Sequence, residues 1–308
     1  MAYRVALLGV GPMAALHAKA IAEVPGLDVV SVASRDLTKA QAFAGQHGIA
    51  NARLTDDLLA DPQADALWVV APCDVMAPLA VRAAALGLPL FLEKPVGLSA
   101  AETDQVAAQI SVPNMVGLNR RYYEVIGKAR ALIEQAGGLR AIEIHMPEDL
   151  TRVPPGKHAP RTLEQWQFAN SVHLLDLFRF FGGEAQDVQT MNLMHDVNDR
   201  GFNAMLRLEN GAVGHYNAQW YAPGGWRVAL YADGLMIELK PVEKATVFRR
   251  GADPEVIEPT GADARLKAGL YGQAAAFAAL LGGRVDAFAA DLVEYSRSVH
   301  LVERLTAL

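Results

Sequence analysis

Residues 5–16 read Val-Ala-Leu-Leu-Gly-Val-Gly-Pro-Met-Ala-Ala-Leu. Residues 5–8 have strand composition, Gly9-Val10-Gly11-Pro12 interrupts them, and helical periodicity starts immediately afterwards. With Arg4 in front and Ala-x-Ala pairs around Lys19, the stretch imitates a secretory signal peptide. A strand, a glycine turn and a helix account for every residue of it. Gly9-x-Gly11-x-x-Ala14 then fits a dinucleotide-binding turn. The glycines allow a tight turn and close approach of backbone to a pyrophosphate, while the helix N-terminus offers amide donors and the positive end of a dipole. The expected contacts are Gly9, Gly11, Pro12, Met13 and Ala14; the alternative is a plain structural turn.

Outward from this turn, short β-branched runs alternate with Ala-rich segments of helical period through residue 118. Strands are expected at 5–8, 29–33, 67–71, 90–92 and 114–118, and helices at 14–23, 37–47, 75–86 and 100–109. Strand and helix in alternation imply a parallel sheet covered on both faces. After Arg120 the pattern changes to strands at 142–146, 202–208, 212–220, 226–232, 235–239 and 246–249, with helices at 170–181 and near the C-terminus. Asn210-Gly211 and Asp233-Gly234 mark tight reversed hairpin turns. The fold expected is an α/β Rossmann dinucleotide-binding domain, 1–118, followed by an α+β domain with a large, mostly antiparallel sheet, 119–308, whose C-terminal helix packs back on the first domain.

The length of 308 residues agrees with two domains at about 150 residues each. Lys plus Arg number 28 against 34 Asp plus Glu, a net charge of −6, so no global basic field draws in nucleic acid. No apolar stretch is long enough to span a bilayer. A single cysteine, Cys73, cannot form an intrachain disulfide, which suits a cytoplasmic setting, and no C-x-x-C pair marks a metal site. Cys73 lacks a paired histidine in sequence and reads as a small buried residue. His145 and His195 lack metal-ligand spacing, and a Gly-x-Ser-x-Gly hydrolase elbow is absent. No metal and no nucleic-acid or membrane partner is therefore expected, and a small molecule is the expected substrate.

At the end of the second expected strand, where a carboxylate would hold the ribose of NAD, the chain has Ser34-Arg35. A hydroxyl and a guanidinium suit a 2′-phosphate, so NADP(H) is favoured, with NAD(H) the alternative because Asp36 lies next door. Glu93-Lys94-Pro95 follows the strand at 90–92, which puts a lysine at the rim of a parallel sheet where ligands bind.

Four features together resemble the glucose-fructose oxidoreductase, inositol dehydrogenase and MocA (Gfo/Idh/MocA) family. They are the Gly9-x-Gly11 turn, Glu93-Lys94-Pro95, Val116-Gly117-x-Asn119-Arg120-Arg121, and His173-x-x-Asp176; a late Tyr271-x-x-x-x-x-Phe277 helix agrees with them. The resemblance covers nearly the whole chain. It implies an NAD(P)-dependent dehydrogenase or reductase that passes a hydride between nicotinamide and a small polar alcohol, carbonyl or imine, with sugars and cyclitols the usual substrates. It also implies a homodimer or homotetramer formed through the C-terminal sheet. By resemblance Lys94 bonds the reacting oxygen and His173 is the acid–base partner, while Ala71, Pro72, Glu93 and Lys94 contact the cofactor. Arg120, Tyr123, Asn170 and His173 join Lys94 at the substrate.

The chain departs from the family pattern in three places. Ala169 stands where an aspartate usually precedes the histidine by four residues, and Asn170, three before His173, is expected to orient the ring or the substrate in its place. Ala71-Pro72-Cys73 with Met76 replaces Thr-Pro-Asn followed by a histidine. The segment from Arg152 through Lys157-His158 to Arg161 is either a solvated loop or a recognition element for an anionic substrate. Trp166, Trp220 and Trp226 fit cores or interfaces better than a pocket wall. A second class of function remains open, a dinucleotide-binding protein without net redox activity, acting as a sensor or in non-redox chemistry.

Overall fold

The computed structural model describes residues 2–196 and 199–307. Their contacts divide into two units, Met1–Tyr122 with Ala262–Ser296, and Tyr123–Gly261 with Arg297–Leu308. The division falls four residues beyond the expected 118, and the chain returns to the first unit for 262–296.

The first unit carries a six-stranded parallel sheet in the order β3-β2-β1-β4-β5-β6. The strands are β1 (Tyr3–Leu8), β2 (Leu27–Ser34), β3 (Asn51–Leu54), β4 (Ala66–Val69), β5 (Leu90–Leu92) and β6 (Asn114–Val116). Between them run α1 (Pro12–Glu23), α2 (Leu37–His47), α3 (Thr55–Ala60), α4 (Cys73–Ala84) and α5 (Ala100–Ala107). This is the doubly wound order, in which chain direction across the sheet reverses beside β1 and leaves a crevice at the C-terminal ends of the strands. Short β3 and α3 were not expected, because Asn51–Leu54 is an edge strand of mixed composition. Trp68 and Phe91 stack at 3.8 Å between centroids in the core, and Phe277 sets its edge against both. Phe277 comes from α9 (Leu270–Leu281), which packs on α1 within this unit.

The second unit has a nine-stranded sheet in the order β15-β14-β13-β12-β7-β11-β10-β8, with β9 paired to β10. Its strands are β7 (Ala141–His145), β8 (Ala185–Thr190), β9 (Leu193–Asp196), β10 (Asp199–Leu208), β11 (Val213–Gln219), β12 (Arg227–Ala232), β13 (Leu235–Leu239), β14 (Ala245–Arg249) and β15 (Glu255–Ile257). Among the described residues of this sheet only β7 with β11 is parallel. Along β10, buried Ala204, Leu206 and Leu208 alternate with exposed Asn203, Met205 and Arg207, so one face is core and the other is solvated. Helix α8 (Val172–Gly182) lies over the buried face, accompanied in this unit by α6 (Glu124–Gln135), α7 (Pro160–Glu164) and the Arg297–Thr306 end of α10 (Leu292–Thr306). A Cβ on Gly214 would come within 2.8 Å of the Phe178 ring, so the small residue in β11 admits the helix.

Both expected hairpins form, with one difference in turn chemistry. Positive φ falls on Gly211 (85°) and Gly234 (63°) alone, not on the residues before them. At the first, Gly211 N–H bonds the Leu208 carbonyl and Leu208 N–H bonds that of Ala212, both at 2.9 Å. That is a three-residue loop closed by a glycine bulge, which tolerates an ordinary φ at Asn210.

Candidate active site

In the first unit, Gly9 leaves β1 with φ of 125°, and a Cβ there would sit 1.9 Å from the Val70 carbonyl oxygen. Only glycine fits, because both the backbone angle and the neighbouring strand forbid a side chain. Gly11 is different: a Cβ there would meet nothing within 4 Å, so open space lies before the N-terminus of α1. Gly11 caps that helix without a side-chain hydrogen bond, and Pro12 occupies its first turn. The leading amides are thus directed at a space that could take a phosphate. Met13 and Ala14 follow in the same turn, Ala14 fully buried.

At the end of β2, Asp36 is engaged locally. Its carboxylate accepts from the Lys39 N–H at 3.2 Å, capping α2, and lies 3.8 Å from the Lys39 ammonium; its own N–H donates to Ser34 Oγ at 3.2 Å. Arg35 is exposed.

Lys94 follows β5 at the C-terminal edge of the sheet, two strands from the glycine turn in the order β1-β4-β5, or roughly 10 Å at ordinary strand spacing. Part of its surface is open, yet its ammonium is held among protein atoms. Burial is the main cause that pushes its pKa down to about 8; Glu93 opposes, Arg120 adds to the fall, Cys73 opposes and Lys267 adds. Cys73, half-buried at the start of α4, is thus close enough to act on Lys94, and is not the enclosed residue its sequence setting suggested. Ala71 and Pro72 lead into that helix, Pro72 exposed. Arg120 donates to Asn119 Oδ1 at 2.9 Å, and Asn119 is anchored on the Ala268 carbonyl at 3.0 Å.

Glu93 points the other way, into the unit. Its Oε2 lies 3.0 Å from Nε2 of fully buried His17 on α1, whose ring is steeply inclined to both members of the Trp68–Phe91 stack, at 5.4 and 5.5 Å between centroids. A Cβ on Gly117 would come within 2.7 Å of the same oxygen, so that glycine makes room for the carboxylate. Sequence reasoning missed His17, which secures the residue next to Lys94.

In the second unit, the helix expected at 170–181 begins with a π-helical turn, Gln167–Ser171, that widens it ahead of α8. An extra residue in a turn rotates what precedes it, so i, i+3 and i, i+4 expectations across 167–173 do not transfer unchanged. His173 is buried at 6% exposure in the first turn of α8. The Asn170 amide donates to Glu148 Oε1 at 2.6 Å, and the Trp166 indole N–H donates to Glu148 Oε2. Burial, then the Glu148 charge, holds the enclosed Tyr216 phenol above its ordinary range. The His158 ring stands edge-on to Trp166 at 5.2 Å, and burial followed by Lys157 lowers its pKa. Arg152, Lys157 and Arg161 are exposed, and Arg161 lies in the first turn of α7. Tyr123 is enclosed in this unit with its hydroxyl 3.4 Å from Glu243. Trp220 is a core residue against Phe202. Glu148, like His17, was not singled out from sequence; it belongs to no local motif.

Among the described residues no cluster of three or more His, Cys, Asp or Glu could hold a metal ion, and no helix is long and apolar enough to cross a membrane.

Residues 3–113 match the oxidoreductase family with NAD-binding Rossmann fold, and residues 126–238 match the GFO/IDH/MocA C-terminal domain. The chain belongs to the GFO/IDH/MocA oxidoreductase family. Among GFO/IDH/MocA relatives it is 30% identical to inositol 2-dehydrogenase of Rhizobium meliloti over 190 residues, 60% of this chain and 56% of that enzyme. It is 28% identical to the oxidoreductase YrbE of Bacillus subtilis over 193 residues, 59% of this chain and 54% of that protein. The matched stretch thus spans a little over half the length of these relatives. The fold is shared with levoglucosan dehydrogenase in complex with NADH, at a TM-score of 0.83 and 18% identity, covering 99% of this chain and 96% of that one.

Proposed function

We propose that this protein is an NAD(P)-dependent dehydrogenase or reductase acting on a small polar alcohol, carbonyl or imine, with sugars and cyclitols as its substrate class. The observation that carries this reading is the desolvated ammonium of Lys94, at the same sheet edge as a glycine turn shaped for a pyrophosphate. When bound, the nicotinamide accepts or supplies a hydride. The chain's own residues do the rest. Gly9, Gly11, Pro12, Met13 and Ala14 cradle the pyrophosphate, and Ala71 and Pro72 border the cofactor, while the Glu93 side chain, expected beside it, is turned inward onto His17. Lys94 donates to the substrate oxygen and stabilises negative charge developing there. His173 exchanges the hydroxyl proton, Asn170 orients the substrate, and Arg120 and Tyr123 shape its surroundings. Absorbance of reduced nicotinamide during incubation with a panel of polyols and keto-sugars tests the reading. Tight dinucleotide binding without turnover on any member would favour the non-redox role that Ala169, in place of an aspartate, keeps in view.

NADP(H) is the favoured cofactor. Asp36 is committed to capping α2 and to Lys39, which leaves Ser34 and exposed Arg35 for a 2′-phosphate, and NAD(H) as the weaker ligand. Arg35→Ala should reduce NADPH affinity by about tenfold to a hundredfold, the value of a charge-assisted contact, and leave NADH affinity nearly unchanged. Calorimetry giving equal affinities for both nucleotides in the parent protein would end this claim.

A homodimer or homotetramer through the C-terminal sheet is supported by its solvated side. There Met191 is 82% exposed, Leu193 47% and Met205 54%, an apolar group that isolated monomers seldom display. Light scattering should report two or four times 33.1 kDa at micromolar concentration, and a particle of single-chain mass would contradict the assignment. The lone Cys73 supports a reducing cytoplasm as the setting.

A further inference from the structure

The residue before Lys94 keeps its carboxylate inside the first unit, where the Glu93 side chain is 9% exposed. The chain there is fixed on two sides: Glu93 N–H bonds the Val69 carbonyl at 2.9 Å, and Gly117 N–H bonds that of Leu92 at 2.8 Å. Among the described residues one group donates to that carboxylate, the Nε2–H of His17 at 3.0 Å. An ionised carboxylate only accepts, so the bond itself assigns a proton to Nε2. Packing does not account for the imidazole. The ring is fully buried near Trp68 and Phe91, a place where an apolar ring would avoid the cost of desolvating two nitrogens. Its Nδ1 has no hydrogen-bond partner among the described residues. The bond to Glu93 is therefore what a histidine contributes at this position. Gly117 is shaped to the same end, since a Cβ there would crowd the bonded oxygen at 2.7 Å.

We propose that His17 is a positioning residue that holds Glu93 as an ionised carboxylate and thereby sustains the ammonium of Lys94. This rests on the donor role of Lys94 proposed above. Burial is the main force against that ammonium, and Glu93 is the largest that favours it; Arg120 and Lys267 disfavour it, and Cys73 favours it. A carboxylate nearly sealed from water keeps its charge only where a donor stabilises it. Without the imidazole, Glu93 loses its hydrogen-bond donor, turns neutral, and no longer offsets the burial of Lys94. His17 is sealed in the core and touches neither substrate nor nucleotide. It acts on the reaction at one remove, through the charge of its partner.

NMR titration of the Lys94 side chain in the full-length protein carrying 13C-lysine tests the assignment without requiring turnover, and the spectrum of Lys94→Arg identifies the signal by its loss. In the parent protein the midpoint should lie at about 8. His17→Phe, which keeps an aromatic ring beside Trp68 and Phe91, should lower it by about one pH unit, or tenfold in proton affinity, the low end of what one nearby opposite charge supplies. Glu93→Gln, which still accepts from Nε2–H but carries no charge, should lower it equally, and the double variant should lower it no further. His17→Gln, whose amide can donate to Glu93, should restore most of the parent midpoint. An unchanged or raised midpoint in His17→Phe, additive falls in the double variant, or a full fall in His17→Gln would overturn the proposal. Should His17→Phe fail to fold, a parent-like midpoint in Glu93→Gln would overturn it alone. A merely structural histidine would change stability and leave these midpoints in place. If the midpoints move as expected while no substrate is ever turned over, the hydride-transfer reading falls and His17 stands. Turnover with unmoved midpoints has the opposite meaning.

Discussion

Lys94→Ala should lower kcat by about 10²- to 10⁴-fold, the range expected when a preorganised donor to a developing alkoxide is lost. The substitution removes both a charge and a hydrogen-bond donor from a place where water screens poorly. It leaves the parallel sheet intact, because β5 ends at Leu92 and Glu93 keeps its bond to His17. The pH dependence carries the same information. The donor role needs the ammonium, and burial lowers its pKa from 10.5 to about 8. Activity that depends on Lys94 should therefore be full below about 8 and decline above it. Lys94→Arg should retain part of the rate and lose this alkaline limb, because a guanidinium stays charged throughout the range. Full turnover in Lys94→Ala, once a substrate is in hand, would remove Lys94 from the mechanism.

His173→Ala is the second large effect. Loss of a positioned general acid–base costs about 10² to 10⁴ in kcat, and the nucleotide turn lies in the other unit, so NADPH affinity should change little. Stopped-flow nicotinamide absorbance gives the rate and calorimetry the affinity. A variant that binds nucleotide normally and turns over at the parent rate would show that the proton travels by another route. A variant that loses both would point to damage in the packing of α8, where His173 is flanked by fully buried Val172 and Leu174.

The first sheet was legible because its central strands are buried on both faces and therefore read as uninterrupted apolar runs, as in Ala66–Val69 and Leu90–Leu92. Edges were less legible. β8, Ala-Gln-Asp-Val-Gln-Thr, is polar and mostly exposed, and carries no strand signature beyond one valine. Helix α6 has a readable stripe in Val125, Ile126, Ala129 and Ile133, yet it lies just past the expected domain boundary at 118, where no helix was expected.

For the candidate site, spacing located the glycine turn, Lys94 and His173 because each belongs to a local pattern. Glu148 and His17 belong to none: one acts across 22 positions on Asn170, the other across 76 on Glu93. No local window can register such pairings. The π-helical turn was hidden for a related reason. Its residues, Gln-Phe-Ala-Asn-Ser, are unremarkable as helix, and the extra residue shows only in which carbonyl each amide meets.

The first unit is discontinuous in the chain, and that orders its birth on the ribosome. When Tyr122 emerges, every strand of the parallel sheet has been made, but the layer over Trp68 and Phe91 lacks Ala274 and Phe277. These arrive only after the whole second sheet, more than a hundred residues later. At translation speeds of about 5 to 20 residues per second, the nascent sheet must wait roughly ten seconds or longer with part of its apolar face uncovered. The first unit, though its sheet is encoded first, therefore closes only after the whole second sheet has been made.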